Sequence, residues 1–373
     1  VKSKPDAAAP QRDVDAGAQP WMLVETLHQD RATLVSLGGR LREMSSLPRA
    51  VRSTVGGRSS AQVWAEVARS IDVVREHATS RDVTIPTGSG RTRVVLHPVV
   101  GPSGAVHGIA LWVGDAESAV PQRPEDALAV TFESERRAFV VDADCLRALA
   151  TDLPSDIRTS FTSPEVFRKI DVDDAVGAIG ALLQPAPDDG ATWTGLASTT
   201  HLPGVSRLDL VFTADDDGST WRGLVHAVES ETVAQPRLET AAFAALGQVS
   251  PQMALVLMDV THNRLIRWLT DPVPQIQWKG IVDDRDTPHP DDVTRIFAAA
   301  SGMYAGTETS TSVDGIRLRR IGGGWTVVDA RAALLPREKS SPRLMLVQMT
   351  VVGHTDDPDP VPVDDTGHPS LLD

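Results

Sequence analysis

The chain has one cysteine, one tyrosine and very little lysine in 373 residues. The lone thiol, Cys145, excludes an internal disulfide framework and a cysteine-built zinc cage, and it reads as buried filler. Long hydrophobic runs are missing too. Nothing approaches the roughly 20 apolar residues of a membrane helix, and Val1 to Gln19 lacks the apolar centre of a secretory leader. The expectation is a cytoplasmic protein, neither inserted nor secreted. Positive charge is also short: 50 acids face 36 bases, for a formal net charge of −14. Attraction to nucleic-acid phosphates or to an anionic lipid surface is therefore not expected. Only five of the bases are lysine, and the wealth of Ala, Val, Asp and Arg is the composition of a GC-rich, bacterial genome.

The common catalytic motifs are absent as well. Gly88-Ser89-Gly90-Arg91-Thr92 is too short for a phosphate loop and lacks its lysine, so it reads as a hairpin loop. Gly322-Gly323-Gly324 leads into a strand candidate and offers no helix N-terminus to an anion. There is no His-Glu-x-x-His pair, and Gly101-Pro102-Ser103-Gly104 does not have nucleophile-elbow spacing. The ten histidines are scattered singly; His97 and His107 fall on the two arms of one expected hairpin and read as partly exposed strand residues. The adjacent acids Asp173-Asp174, Asp283-Asp284 and Asp291-Asp292 suit helix starts, where the helix dipole favours negative charge. No catalytic residue, metal ligand or cofactor is assigned.

What the chain does contain is a threefold pattern. Three apolar stretches run into an acid: Trp21-Met22-Leu23-Val24-Glu25, Ala138-Phe139-Val140-Val141-Asp142 and Ala254-Leu255-Val256-Leu257-Met258-Asp259. Their starts stand 117 and 116 residues apart, one domain length. Each reads as a buried strand. The first and third are followed by second strands, Ala32–Leu37 and Leu265–Leu269, completing hairpins. After the middle copy, Cys145–Leu149 suits either a strand or a helix start.

Short helices come next in each third. Gln62–Glu76 carries Val63, Val67, Ile71 and Val74 on one face. Ser163-Pro164-Glu165 has proline where a helix begins, and Asp291–Ala300 sets Val293, Ile296 and Phe297 on one face. Glycine-punctuated strands then close each third: Arg93–Val100 and Ala105–Val113; Leu208–Phe212 and Thr220–Val228; Ile316–Ile321, Trp325–Ala330 and Arg343–Val351. Asp-Gly and Ser-Gly turns between them are hairpin signals.

The fold class expected is α+β: three tandem modules, each an antiparallel sheet with short helices on one face and a cleft between. The boundaries are a disordered tail 1–19, a module 20–114, a linker 115–126, a module 127–229, a linker 230–240, a module 241–353 and a disordered tail 354–373. Eight tryptophans are the notable side chains. Trp112, Trp221 and Trp325 lie in closing strands; Trp268 and Trp278 lie between the third hairpin and its helix. They read first as packing residues and second as candidate lining of ligand pockets.

Ala254–Asp259 followed by Asn263-Arg264-Leu265-Ile266, with His289-Pro290-Asp291-Asp292 before a helix, resembles the opening hairpin and connecting-helix element of PAS domains. The first module, ending Pro98-Val99-Val100-Gly101-Pro102-Ser103-Gly104-Ala105-Val106-His107-Gly108, is similar to the closing hairpin of either a PAS or a GAF domain. Taken together the chain resembles an actinobacterial group of sensor-domain-only proteins. That resemblance implies a non-catalytic signal-sensing or scaffold protein that binds small molecules or protein partners and relies on a separate effector. A candidate homodimer helix is Glu239–Gly247. The alternatives are a hydrolase-like enzyme using His97 or His107 in a cleft, and a scaffold whose clefts hold nothing.

Overall fold

A computed structural model describes residues 19–358 except 89, 144–157, 185–189, 203–204, 216–217, 229–237, 263, 279–284 and 337–341. The expectations at Cys145–Leu149, at Asp283-Asp284 and for most of the two tails and the second linker lie outside those residues. Among the described residues no helix is long and apolar enough to cross a membrane.

The described strands form three sheets built from antiparallel pairs. The first contains β1 (Met22–Glu25), β2 (Thr33–Leu37), β3 (Arg40–Ser45), β4 (Arg81–Thr87), β5 (Gly90–Val100) and β6 (Val106–Asp115), with α1 (Leu47–Val55) and α2 (Ser60–His77) between β3 and β4. The second contains β7 (Ala127–Glu133), β8 (Ala138–Val141), β9 (Ser160–Thr162), β10 (Ile170–Val172), β11 (Thr192–Leu202), β12 (Val205–Ala214) and β13 (Thr220–Val228), with α3 (Ser163–Phe167) and α4 (Ala175–Leu182). The third contains β14 (Met253–Asp259), β15 (Arg264–Trp268), β16 (Ser310–Arg319), β17 (Trp325–Leu334) and β18 (Leu344–Thr355). α5 (Leu238–Val249) precedes it and α6 (Pro290–Ala305) lies within it. The segment Glu239–Gly247 is thus helical, inside α5.

One order recurs in all three sheets. The opening strand sits between the second strand and the closing strand, as β2-β1-β6-β5-β4, β8-β7-β13-β12-β11 and β15-β14-β18-β17-β16. The middle copy of the repeat is corrected by this order. Ala138–Val141 is not the counterpart of β1 and β14 but the second strand; the central place belongs to β7, whose alanines and threonine make it less apolar than its role.

The acid that ends the opening strand has a physical reason in two sheets. Glu25 and Asp259 are both buried, and each carboxylate accepts a hydrogen bond from the backbone two residues on, from Leu27 N and from Thr261 N at 2.9 Å. The short Asp259 side chain mimics a backbone turn in this way, and the longer Glu25 side chain reaches the equivalent amide.

The chain divides into two compact units. One comprises Val1–Ser134, Ala138–Ser160 and Lys169–Gln235; the other comprises Glu135–Arg137, Phe161–Arg168 and Pro236–Asp373.

In the first unit, Val63, Val67, Ile71 and Val74 of α2 are buried against Met22, Val24, Ile109 and Leu111, so the apolar stripe reaches the sheet as its spacing predicts. The other face of the sheet is covered too. Leu23, Leu27 and Val35 pack with Val211 and Leu224 of the second sheet, which is why every residue from Val106 to Gly114 is buried. Gly108 makes this approach feasible, since a Cβ there would lie 3.0 Å from both Leu224 methyls.

In the second unit, Trp268, Met303, Ile316, Val328 and Val347 form the core. His289 caps α6, its Nδ1 accepting from Asp291 N at 3.2 Å, with Pro290 at the helix start. Asp292 does more than complement the helix dipole. It is buried, and it accepts from Arg317 N and Nε at 2.9 Å and from Arg295 Nη1 at 2.8 Å. Burial alone would raise its pKa, but these bonds hold it below the ordinary carboxylate value. Phe297 departs from the expected apolar face: it is 46% exposed and stacks on Tyr304 along the outside of the helix.

Candidate functional site

On the helix side of the first sheet, α1 and α2 cover the strands with Leu47, Val51 and the α2 stripe. A cavity of about 380 Å³ opens instead on the opposite face, in the first unit. Trp21, Leu23, Val99 and Ala110 give it an apolar floor, and the connector residues Arg123, Glu125 and Asp126 form a charged wall with Asp142 beside them. Alternation along β1 explains the floor: Met22 and Val24 face the helices, so Leu23 and its neighbour Trp21 face the other way. Trp21 also straps the connector down, its Nε1 donating to Pro121 O at 3.1 Å.

Behind the wall stands an arrangement that the residue spacing did not disclose. His226 is wholly buried, and among the described residues neither ring nitrogen has a hydrogen-bond partner. Its Nε2 lies 3.4 Å from Asp126 Oδ2. Across the β12–β13 ladder His226 is paired with Asp209, also buried. Withdrawal from water raises the Asp209 pKa, against the opposing influence of His226 and a bond from Leu210 N. The only sequence signal for this group was the alternation of both strands, which puts Asp209 and His226 on one face if the register is known.

A raised carboxylate pKa means that the folded protein holds this proton more tightly than the unfolded chain. The associated stability is full below the unfolded pKa of about 4 and is lost as pH rises through the folded value. At neutral pH the native state therefore carries a desolvation cost. Asp209→Asn removes it, and is expected to raise the melting temperature at pH 7 with a gain that shrinks towards pH 4. Thermal melts of both proteins across that range check this, and an equal shift at both ends would count against it.

The two histidines considered for chemistry are not brought together. His97 pairs with Ala110 in the ladder, and its Nδ1 lies 2.8 Å from Ser80 Oγ. His107 is fully buried, donating from Nδ1 to Gly223 O at 2.8 Å. Gly101 leaves room for its ring, because a Cβ there would collide with Nε2. Burial lowers the pKa of both rings.

None of the five flagged tryptophans borders the cavity. Trp112 lies on the outer sheet face with Trp21 and Val95, donating to Gln19 O at 2.9 Å. Trp221 is buried in the second sheet. Trp268 and Trp278 meet edge to face at 5.0 Å in the core of the second unit. Trp325 is held between the His289 ring and the Arg319 guanidinium, each 4.7 Å away. The tryptophan that does line the cavity, Trp21, belongs to the first apolar stretch. Among the described residues, no group of three or more His, Cys, Asp or Glu side chains is placed to hold a metal ion.

Two family matches fall on this architecture. Residues 20–122 match the description "Rv3651-like, N-terminal", and residues 240–339 match "Rv3651-like, C-terminal domain". No curated protein matches the chain. Among solved structures, an uncharacterised protein from Mycobacterium tuberculosis is similar with a TM-score of 0.67 and 18% identity, over 89% of this chain and 96% of that one. This likeness concerns the fold alone. An RNA-binding Light-Oxygen-Voltage receptor aligns at a TM-score of 0.22 and 11% identity, over 61% of this chain and 94% of that one.

Proposed function

The chain carries both terminal domains of the Rv3651-like family, and on that premise we propose that it is a non-catalytic sensing protein. In this reading PAS-like or GAF-like modules bind a small ligand and pass the signal to a separate effector protein. The observation that carries the reading is the position of the cavity. Its wall is the connector that leads from the first sheet into the second, so an occupant touches the segment joining two packed sheets of one unit. A ligand with different affinity for two arrangements of that connector would shift the balance between them. The strand order common to the three sheets supports the comparison with PAS and GAF modules.

The cavity volume is at the lower end of the range of small-molecule sites, about 300–1,000 Å³. Native mass spectrometry of the full chain purified from its own cells is expected to reveal a retained small molecule. Filling the cavity with Val99→Trp should remove it. Absence of any retained mass, together with no thermal shift across a metabolite collection, would sink the ligand-sensing reading.

A further inference from the structure

We propose that the cavity of the first unit takes a small organic cation, an amine carried on an apolar body. This rests on the reading of the cavity as a ligand site and adds the chemistry of the ligand. Among the lining residues Arg123 is the single base, against the acids Glu125, Asp126 and Asp142. The charged wall is therefore net negative, while the floor of Trp21, Leu23, Val99 and Ala110 is apolar. A ligand that suits both must join a positive group to a hydrocarbon body, and the Trp21 ring adds an aromatic surface of the kind that attracts cations.

His226 supplies a second observation, independent of the number of acids. It is wholly buried, has no hydrogen-bond partner for either nitrogen among the described residues, and stands 3.4 Å from the carboxylate of Asp126, which lines the cavity. Buried polar groups are nearly always satisfied, and an exception calls for an explanation. An ammonium group hydrogen-bonded to Asp126 from the cavity side would orient that carboxylate so that His226 Nε2, 3.4 Å away, can donate to it. A cation at this wall favours that bond, whereas an anion would be repelled by Asp126.

The test compares three isosteric probes on the full chain at pH 7 by calorimetry and thermal shift: 2-phenylethylamine, 2-phenylethanol and phenylacetate. The amine is expected to bind about tenfold tighter than the alcohol, the gain typical of one charge-assisted hydrogen bond, and phenylacetate not to bind. Asp126→Asn should weaken the amine about tenfold and leave the alcohol unchanged. Should that variant fold poorly, Glu125→Gln on the exposed connector gives the same comparison with a smaller loss.

Phenylacetate binding more tightly than the amine, and lost in Val99→Trp, would overturn the cation assignment while leaving the ligand site standing. Amine binding unaffected by Val99→Trp would place the amine elsewhere and overturn both. No binding of any probe would overturn the cation assignment.

Discussion

Replacing Arg137 by alanine is expected to cost the second unit about 3–5 kcal/mol, the usual penalty for leaving a buried charge without its partner. Arg137 is 4% exposed and Asp259 1% exposed. The guanidinium donates to Asp259 Oδ2 from Nε at 3.0 Å and from Nη2 at 2.6 Å, and Nη2 also lies 2.8 Å from His262 Nδ1. The other carboxylate oxygen holds the turn after β14 through Thr261 N. The backbone of Arg137 is used too: its carbonyl accepts from Ser163 N at 3.0 Å and from Ser163 Oγ at 2.7 Å, which fixes the start of α3. Loss of the side chain thus leaves the buried Asp259 carboxylate without its cation, held only by His262 Nδ1 at 2.9 Å and by the hairpin amide of Thr261. Hydrogen exchange of the β14 amides, read with chemical denaturation, isolates the effect in this unit. The double variant Arg137→Met with Asp259→Leu should recover much of the loss, because removing both charges removes the desolvation penalty as well. A deficit below about 1 kcal/mol in the single variant would show that water reaches Asp259.

The contrast between Arg137 and the α2 stripe explains what could be read from the residues. Val63, Val67, Ile71 and Val74 follow a local period, and a local period needs no knowledge of distant partners. The opening hairpins at Met22–Leu37 and Met253–Trp268 were legible for the same reason, as was the capped start of α3. Arg137, by contrast, meets Asp259 across 122 positions of sequence, and no composition or spacing rule pairs them. The cavity belongs to this second class. Its floor comes from β1, β5 and β6 and its wall from a connector that looked like a linker because it holds Pro121 and Pro124. Its place was misjudged for one further reason: strands such as β6 are apolar on both faces, so alternation could not say which face meets the helices. The middle module shows the limit of pattern matching, since Ala138–Val141 imitates the apolar opening strand more closely than β7 does. Phe297 shows another, where helical spacing placed an aromatic residue on an apolar face but not towards the core.

Trp112→Ala is expected to destabilise the first unit by about 3–5 kcal/mol, the loss that follows truncation of a buried tryptophan. The side chain is 1% exposed and lies among Trp21, Val95 and Ala110 on the outer face of the first sheet. Its indole N–H is satisfied by Gln19 O, so truncation both opens a void and leaves that carbonyl without its donor. The neighbouring sequence is built around the ring: a Cβ at Gly114 would collide with its six-membered part, so glycine two residues on is what lets the indole lie along the strand. Trp21 shares the cluster but differs in kind, because it borders the cavity and holds the connector at Pro121. The two residues therefore separate packing from ligand binding. Trp112→Phe should retain part of the stability, and, where the variant is folded, leave the affinity for 2-phenylethylamine unchanged. Trp21→Phe should weaken that affinity while costing less stability. Urea unfolding followed by far-ultraviolet circular dichroism measures the first effect and calorimetry the second. If Trp112→Ala cost less than about 1 kcal/mol, the outer face of the sheet would be loosely packed. The cavity would then have no rigid floor against which a ligand could act on the connector.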